Sequence, residues 1–286
     1  MKIIVYIVLG IFIVGIVAQG FTKKTKSERR ILIQSEDTHV SPASLTQSAK
    51  IISDRLKDFS SEKFAVSVNT ERNQIQVVFA DTWDMKAAEN LMIQKGSMAF
   101  YETINQKQLS ELMHGENHLF SLLKNSNPNG ENAELGCVSI PEAIKVEEYL
   151  NSSGLSQKCK FGWRHDVKNS NACLYALNSD AGTGSFMTGS EIESVKAEKE
   201  QVKNNYMVAV NFKKSAIEKW SVLTKRNINH VIAIVLDNTV ISAPMLRSEI
   251  NGGNCIITGD FDENESKFMA ALGNNGELPV SFHVVK

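Results

Sequence analysis

Residues 232–244 read IAIVLDNTVISAP and constrain the fold more than any other segment. Asp237 and Asn238 separate two apolar runs, and both residue types tolerate the left-handed backbone angles of tight two-residue hairpin turns. The first run alternates larger and smaller apolar residues, which indicates a strand with little polar surface on either face. The second run stops at Pro244, which cannot donate to a sheet ladder. The pattern favours a β-hairpin over the alternative, a loop with a catalytic aspartate.

The segments before residue 107 follow the order of a ferredoxin-like unit. Strands are predicted at 31–38, 64–68, 75–79 and 98–104 from their alternating apolar residues. A helix is predicted from Ser41-Pro42, a capping hydroxyl followed by proline, and a second from Asp84 to Gln94, ended by Gly96. The order strand, helix, strand, strand, helix, strand is the split βαβ pattern.

A similar order returns after residue 204. We predict a strand at 206–212, a helix at 215–226, the hairpin, a strand at 254–258, a helix capped by Asp262 and a last strand at 279–286. The fold class is therefore predicted to be α+β, with a base of two ferredoxin-like βαββαβ units at 29–106 and 205–286. Residues 107–204 are predicted to be an inserted α/β head region with helices at 108–124, 141–150 and 191–199.

The first 22 residues contain one long apolar run, from Ile3 to Ala18. This run is slightly short for a transmembrane helix and slightly long for the core of a signal peptide. A membrane anchor and a cleaved signal, with cleavage after Gly20, both remain open. The basic segment KKTKSERR that follows prefers the cytoplasmic side, which conflicts with export of the residues after it. After residue 30 the chain has 25 basic and 31 acidic residues, which argues against nucleic-acid binding.

The chain has four cysteines, without a CxxC motif or the spacing of a zinc site. Cys159 and Cys173 lie in KCKFGW and ACLYAL, two strand-like runs that could form a hairpin. A disulfide between Cys159 and Cys173 is one interpretation, for an oxidising compartment. Two buried free thiols are the other.

Three motifs that resemble catalytic or metal sites are better explained otherwise. HGENH at 114–118 lacks the metalloprotease order and a third ligand. GTGSFMTG at 182–189 lacks the third glycine of a dinucleotide loop, and Ser185 lacks the nucleophile elbow. DFDENE at 260–265 lacks the calcium-loop pattern. The sequence therefore predicts no catalytic residue, no cofactor and no metal.

Three segments together resemble the first periplasmic domain of SecD and of the fused SecDF proteins. They are IAIVLDNTVISAP at 232–244, INGGNCIITGDF at 250–261 and LGNNGELPVSF at 272–282, with weaker similarity in SMAFYETI at 97–104. The residues at the positions of the family motif are Asp237, Asn238, Ser242, Ala243, Pro244, Gly252, Gly253, Gly259, Phe261, Gly276 and Pro279. Asn238 replaces the glycine usual in the turn, and Asn274-Asn275 replace a basic or small pair.

The resemblance implies a bacterial inner-membrane protein with a periplasmic domain that associates with the Sec translocon. It also implies a mobile head that binds exported polypeptide, and no enzyme activity, small-molecule substrate or nucleic-acid partner. We expect the bound polypeptide to lie extended in a groove or along a free sheet edge of the inserted region. The family's transmembrane bundle has no counterpart here, so no proton-driven motor is expected. The alternative is a non-catalytic adaptor, a diverged SecD paralogue that docks on Sec or another envelope complex.

Overall fold

The computed structural model describes residues 28–166, 169–178, 186–201 and 205–285. The helices are α1 (Pro42–Phe59), α2 (Met85–Ile93), α3 (Gln106–Leu112), α4 (His118–Leu122), α5 (Ala143–Ser152), α6 (Ile217–Arg226) and α7 (Glu263–Asn275). The first seven strands are β1 (Arg29–Ser35), β2 (Phe64–Asn69), β3 (Gln74–Phe79), β4 (Met98–Ile104), β5 (Glu134–Ser139), β6 (Lys160–Asp166) and β7 (Asn171–Leu177). The others are β8 (Met187–Thr188), β9 (Ile192–Lys199), β10 (Tyr206–Phe212), β11 (Ile232–Leu236), β12 (Thr239–Ser242), β13 (Asn254–Phe261) and β14 (Phe282–Val284).

Most of the predicted elements are present, and Ser41 and Asp262 act as the predicted capping residues. The side chain of Ser41 accepts a hydrogen bond from Ser44 N at the start of α1, and Pro42 occupies the first turn. Asp84 caps α2 through two backbone N–H groups. Asp262 caps α7 with a full capping box to Glu265. Local sequence signals therefore determine where these helices begin.

Two helix predictions in the inserted region are wrong. The predicted helix at 191–199 is strand β9, which pairs with β10 along its length. Ile192 and Val195 are buried three residues apart, a spacing that looks helical, but pairing with β10 decides the conformation. The predicted helix at 108–124 is two short helices, because His114 and Gly115 adopt positive φ angles of 57° and 81° between them.

The strand pairing expected of two ferredoxin-like βαββαβ units is also wrong. The first sheet has the order β14-β1-β3-β2, so β14, and not β4, pairs with β1 at its edge. Strand β4 instead pairs with β11 in the largest sheet, and β10 and β13 form a third sheet with β9. The first and the last strand of the described residues thus share one sheet. The boundaries 29–106, 107–204 and 205–286 stay a prediction.

Five strands of the largest sheet close into a ring. The neighbours β7-β6-β12-β11-β4 are completed by a pairing of β4 with β7 through Thr103–Leu177 and Ile104–Ala176. The interior is filled by alternate residues of these strands, namely Ala99, Tyr101, Cys173, Tyr175, Leu177, Ala233, Val235 and Val240. The hairpin of β11 and β12 therefore forms part of the wall of a packed ring.

The opposite faces of the ring strands belong to two other cores. Ile232, Ile234 and Leu236 of β11 join the large core of the base, which contains α1, α2, α6 and α7. Leu174 and Ala176 of β7 join a second core, whose buried members all lie between residues 109 and 176. The alternation seen in the sequence thus reflects strands buried on both faces.

The predicted N-terminal anchor or signal segment, residues 1–22, lies outside the described residues. In the part of the chain that the structure describes, no helix has both the length and the apolar character needed to span a bilayer.

Candidate functional site

The turn between β11 and β12 confirms the predicted Asp-Asn hairpin. Asp237 and Asn238 have φ angles of 48° and 68°, as a two-residue turn of this hand requires. The carboxylate of Asp237 accepts hydrogen bonds from the backbone N–H groups of Gly96 (2.8 Å) and Ser97 (2.7 Å). Asp237 N also donates to Ser97 O at 3.0 Å. Asp237 therefore bonds to the backbone between α2 and β4, which favours a structural role over a catalytic one.

Arg55, a fully buried residue of α1, lies beside this turn. Its guanidinium donates to four carbonyl oxygens, those of Leu91, Gln94, Lys95 and Gly276, at 2.6 to 3.2 Å. These carbonyls lie at the C-terminal ends of α2 and α7, where the helix dipoles favour a positive charge. Burial lowers the pKa of Arg55 to about 10, and the nearby charge of Asp237 partly opposes that shift.

Gly96 lies directly against this guanidinium. It has a φ of 80°, and an added Cβ would lie 2.1 Å from Arg55 Nη2. Both the backbone angle and the contact therefore require glycine here. The sequence predicts Gly96 only as the residue that ends α2. In the structure, Gly96 also leaves space for the buried guanidinium of Arg55.

The segment after α7 closes the same junction. Gly276 ends α7 with a φ of 70°, and Leu278 N donates to Lys95 O at 2.8 Å. Glu277 accepts a hydrogen bond from Ser97 Oγ at 2.7 Å and pairs with Lys95 at 3.2 Å. The bond from Ser97, followed by that from Lys95, lowers the pKa of Glu277. Pro279 follows as an exposed residue between α7 and β14.

The motif residues after the hairpin turn lie at the C-terminal end of β12 and directly after it. Ser242 Oγ donates to Thr258 O at 3.4 Å, a long contact with β13. Ala243 packs against the interior of the ring. The carbonyl of Pro244 accepts a hydrogen bond from Ile232 N at 3.0 Å, which closes the open end of the hairpin. These contacts join the hairpin to its neighbours.

The remaining motif residues surround β13. Gly253 has a φ of 66°, and a Cβ there would lie 2.5 Å from Cγ1 of Ile217. The ring of Phe261 lies over Gly259, where a Cβ would come within 2.5 Å of it. Gly252 is an exposed turn residue just before this strand. Close packing accounts for glycine at 253 and 259.

The predicted disulfide between Cys159 and Cys173 is wrong, because Cys173 is bonded to Cys137. The hairpin of β6 and β7 does form, but its register places Arg164 opposite Cys173. Cys137 on β5 is directly opposite Cys173, with a Cα–Cα distance of 4.0 Å. Cys159 is a buried free thiol, and burial raises its pKa to about 11. No local sequence pattern indicates the pairing of β5 with β7.

A charged cluster lies beside the disulfide. Glu134 pairs with Arg164 at 2.8 Å and accepts a hydrogen bond from the hydroxyl of Tyr175 at 3.1 Å. Burial, followed by the charge of Glu134, raises the pKa of Tyr175. Glu134 and the two cysteines are close enough to share a metal ion, but the two sulfurs are bonded to each other. The cluster therefore orders one end of β5 next to the ring.

The motifs set aside in the sequence take ordinary positions. In HGENH, the ring of His118 packs edge-on against Tyr149 with centroids 4.9 Å apart, and Glu116 accepts a hydrogen bond from the Tyr149 hydroxyl at 3.0 Å. Residues 182–185 of GTGSFMTG, including Ser185, lie outside the described residues. Met187 of the same motif is a buried residue of β8.

The edges expected to receive a polypeptide in the inserted region are partly occupied. On the outer edge of β5, Cys137 exchanges two backbone hydrogen bonds with Lys124, at 2.8 and 2.9 Å. The side chain of Gln106 donates to the carbonyls of Glu134 and Leu135. At the centre of β9, the amide of Asn274 bonds to both N and O of Val195, at 2.6 and 2.9 Å.

The inserted region nevertheless presents apolar side chains to solvent. Ile144 in α5 is 63% exposed and Ile140, four residues earlier, is 36% exposed. Ile144 lies in the first turn of α5, and Ile140 lies in the 3-10 turn just before this helix. On the base, Val222 of α6 is exposed to a similar degree, 56%. An apolar ligand of the inserted region would therefore meet Ile144 through side-chain contact.

Comparison with known proteins confirms the resemblance to the SecD family. Residues 172–280 match the family model described as the SecDF P1 head subdomain. This range includes the hairpin, β13 and α7, all of which the sequence predicts as part of the base. The chain thus carries a SecD-like region that covers its C-terminal part.

The relatives are protein translocase subunits named SecD. The chain is 36% identical to SecD of Acidaminococcus fermentans over 107 residues, which cover 37% of this chain and 25% of that protein. It is 37% identical to SecD of Leptotrichia buccalis over 112 residues, or 38% of this chain and 27% of the relative. SecD of Calditerrivibrio nitroreducens matches at 23% identity over 251 residues, 81% of this chain and 48% of the relative. Each alignment thus covers less than half of the relative's length.

Solved structures show the same α+β fold. A SecDF structure in a super-membrane-facing form matches with a TM-score of 0.57 and 18% identity, covering 91% of this chain and 30% of that one. A second structure, of a SecDF membrane component described as enhancing protein export, matches with a TM-score of 0.55 and 19% identity. That match covers 90% of this chain and 98% of the other. At this identity the likeness concerns the fold alone.

Proposed function

We propose that this protein is a SecD-like accessory of Sec-dependent protein export. In this proposal the described domain lies on the periplasmic side of the bacterial inner membrane, next to the translocon, and contacts exported polypeptide. The observation that carries it is the match of residues 172–280 to the SecDF P1 head subdomain. The proposal assigns the domain no catalytic group and no proton-driven step.

The disulfide supports the periplasmic location in this proposal. Cys137 and Cys173 are bonded across adjacent strands. Disulfides persist in oxidising compartments such as the bacterial periplasm and are rare in the cytosol. A periplasmic domain would use this bond to hold β5 against β7 in the inserted region.

The proposed contact with exported polypeptide is through apolar side chains at the start of α5. Backbone pairing at the centres of β5 and β9 would have to displace the bonds from Lys124 and Asn274. Ile144 and Ile140 need no such displacement, because their side chains already face solvent. Such a contact would be weak and tolerant of sequence, as a protein that handles many clients requires.

Site-specific photocrosslinking in cells tests the proposal. A photoreactive residue is placed at position 144 or, as a matched control of similar exposure on the base, at position 222 of the complete chain. With an export substrate arrested in the translocon, we expect adducts of that substrate several-fold stronger from position 144. Equal or absent substrate adducts at the two positions would contradict the client contact. A stable partner captured equally with and without export would favour the adaptor function instead.

A further inference from the structure

One oxygen of the Glu134 carboxylate faces the disulfide. Its Oε1 lies 3.3 Å from Cys137 Sγ. A disulfide sulfur carries no proton, so this contact is not a hydrogen bond while Cys137 is bonded to Cys173. Sulfur and carboxylate oxygen are both zinc ligands, and the three ligand atoms all lie within 4.8 Å of one another. The contact becomes favourable when a proton or a cation lies between the oxygen and the sulfur.

A β-bulge in β5 brings Glu134 to the same side of the sheet as the two cysteines. Glu134 is opposite Tyr175 of β7. Cys137, three residues further on, is opposite Cys173, which is only two residues from Tyr175. In a regular strand, residues three apart point to opposite faces, and the extra residue of the bulge cancels that alternation. Gly136, in the bulge, has a φ of 142°, which favours glycine.

The other oxygen of Glu134 is held in place by two neighbouring groups. Oε2 accepts hydrogen bonds from Arg164 Nη2 at 2.8 Å and from the hydroxyl of Tyr175 at 3.1 Å. The guanidinium of Arg164 also lies over the Tyr175 ring, 5.7 Å from its centroid. Carboxylates that bind metals are usually oriented by hydrogen bonds of this kind. The carboxylate is therefore oriented with Oε1 towards the sulfurs.

Backbone hydrogen bonds hold the two cysteines opposite each other independently of the bond between their sulfurs. Cys137 exchanges two backbone hydrogen bonds with Lys124 on the outer side of β5. Its N–H and C=O groups therefore point away from β7, which makes Cys137 and Cys173 a non-hydrogen-bonded pair with closely spaced side chains. Strand β7 is paired with β6 along its whole length. Two thiols at these positions would thus stay side by side without the disulfide.

The distances and charges of this cluster fit Zn²⁺. Zinc binds thiolates at about 2.3 Å and carboxylate oxygens at about 2.1 Å, so a tetrahedral site places the oxygen about 3.6 Å from each sulfur and the sulfurs about 3.8 Å apart. Side-chain rotation of the two cysteines provides this spacing. Two thiolates and the carboxylate of Glu134 carry three negative charges, which Zn²⁺ and Arg164 together neutralise. Glu134 and Cys137 are partly exposed, which leaves a path for the ion to enter.

We propose that the thiol form of Cys137 and Cys173, together with Glu134, is a zinc site with a water molecule as the fourth ligand. Every newly made chain contains these thiols before the disulfide forms. Zinc binding releases the two thiol protons to solvent, whereas disulfide formation passes two protons and two electrons to a disulfide oxidant. Zinc and the disulfide are therefore alternative states of the same residues. The proposal does not depend on the role in export.

Cobalt(II) tests the site, because it occupies tetrahedral zinc sites and absorbs visible light there. The complete chain is reduced, freed of metal and titrated with Co²⁺ in the absence of oxygen. We expect one equivalent of Co²⁺ to bind, with the visible bands of tetrahedral coordination and a thiolate-to-cobalt charge-transfer band in the near ultraviolet. Zn²⁺ should displace the Co²⁺, and the oxidised chain should show neither band.

Two substitutions test the part of Glu134, with Zn²⁺ affinity measured by competition against Co²⁺. Glu134→Gln removes a ligand and should weaken binding by about 100-fold or more, while Tyr175→Phe removes only the hydroxyl that orients Oε2 and should weaken it by about tenfold. The matched control is Glu148→Gln, at an exposed carboxylate of α5, which should leave the affinity unchanged. Re-formation of the Cys137–Cys173 disulfide on oxidation of each variant shows that β5 and β7 keep their register.

Three results would overturn the proposal. One is a reduced chain without the tetrahedral bands. Another is an oxidised chain with the same bands, which would place the metal elsewhere. The third is a Glu134→Gln chain that re-forms the disulfide and still binds Zn²⁺ as tightly as the unsubstituted chain, which would mean that the thiols alone hold the ion. If Glu134→Gln does not re-form the disulfide, unchanged affinity of Tyr175→Phe overturns the proposal instead.

Discussion

The base and the inserted region are stabilised in opposite ways. The large core of the base draws residues from Ile31 to Phe282, and Arg55 bonds to Gly276 across 221 positions of sequence. The second core contains buried residues only from 109 to 176, and its disulfide joins cysteines 36 positions apart. The base therefore requires segments far apart in the sequence, whereas the inserted region is stabilised by local contacts and one covalent bond.

The largest expected effect comes from the buried charge of the base. Arg55→Met would remove the donors of four carbonyls and leave Asp237 without its nearby cation. We expect a loss of about 3–5 kcal/mol in the free energy of unfolding, since breaking a buried charge network leaves unpaired groups. Denaturant unfolding of the complete chain measures this loss.

The matched control is Arg247→Met, at an exposed arginine. It should change stability by no more than about 0.5 kcal/mol. Hydrogen exchange should locate the effect of Arg55→Met in β1, β3 and β14 more than in β5–β7. A loss of less than about 1 kcal/mol in the free energy of unfolding would contradict this account. So would faster hydrogen exchange that is spread evenly over the base and the inserted region.

The next effect should be confined to the inserted region. Reduction of the Cys137–Cys173 bond releases a loop closed across 36 positions and should cost about 3–4 kcal/mol there. We expect faster amide exchange in β5, β7 and α5, with little change in the base. The variant Cys137→Ala with Cys173→Ala is the control, because it should not respond to the reductant. Loss of protection in the base as well would mean that the two cores unfold as one unit.

The smallest expected effect is the contribution of Glu277 to stability, which depends on pH in the acid range. The folded pKa of Glu277 lies below its ordinary value of 4.5, so the unfolded state binds more protons in that range. Its contribution to stability is therefore present above about pH 4.5 and is lost as the pH falls through the folded pKa. Because this carboxylate is half exposed, we expect less than about 1 kcal/mol. Glu277→Gln should lower stability at neutral pH and weaken its dependence on acid pH; an unchanged acid dependence would contradict the role of Ser97 and Lys95.

The sequence predicts local structure well where a short signal acts alone. Ser41-Pro42, Asp262 and the Asp237-Asn238 turn each specify a backbone conformation through their own chemistry, and the structure confirms all three. The burial of β11 on both faces can also be predicted from the sequence, because larger and smaller apolar residues alternate along it and none of them is polar.

Which strands pair with each other cannot be predicted from local sequence in the same way. The exchange of β4 for β14 and the pairing of β5 with β7 depend on long-range packing. The sequence offers Cys159 as the partner of Cys173 in one of its two interpretations for this reason, because a hairpin prediction considers only β6 and β7. Arg55 was missed as well, since an arginine in an amphipathic helix is ordinarily exposed and nothing local reveals two helix ends converging on it.

The most direct test of the proposed export role is protease accessibility in intact spheroplasts, detected with an antibody to the C-terminus of the complete chain. The proposed function predicts digestion from outside, before lysis, and a Cys137–Cys173 bond that is already oxidised in freshly trapped cells. Protection until lysis, together with reduced cysteines, would place the domain in the cytoplasm and contradict a role in handling exported polypeptide.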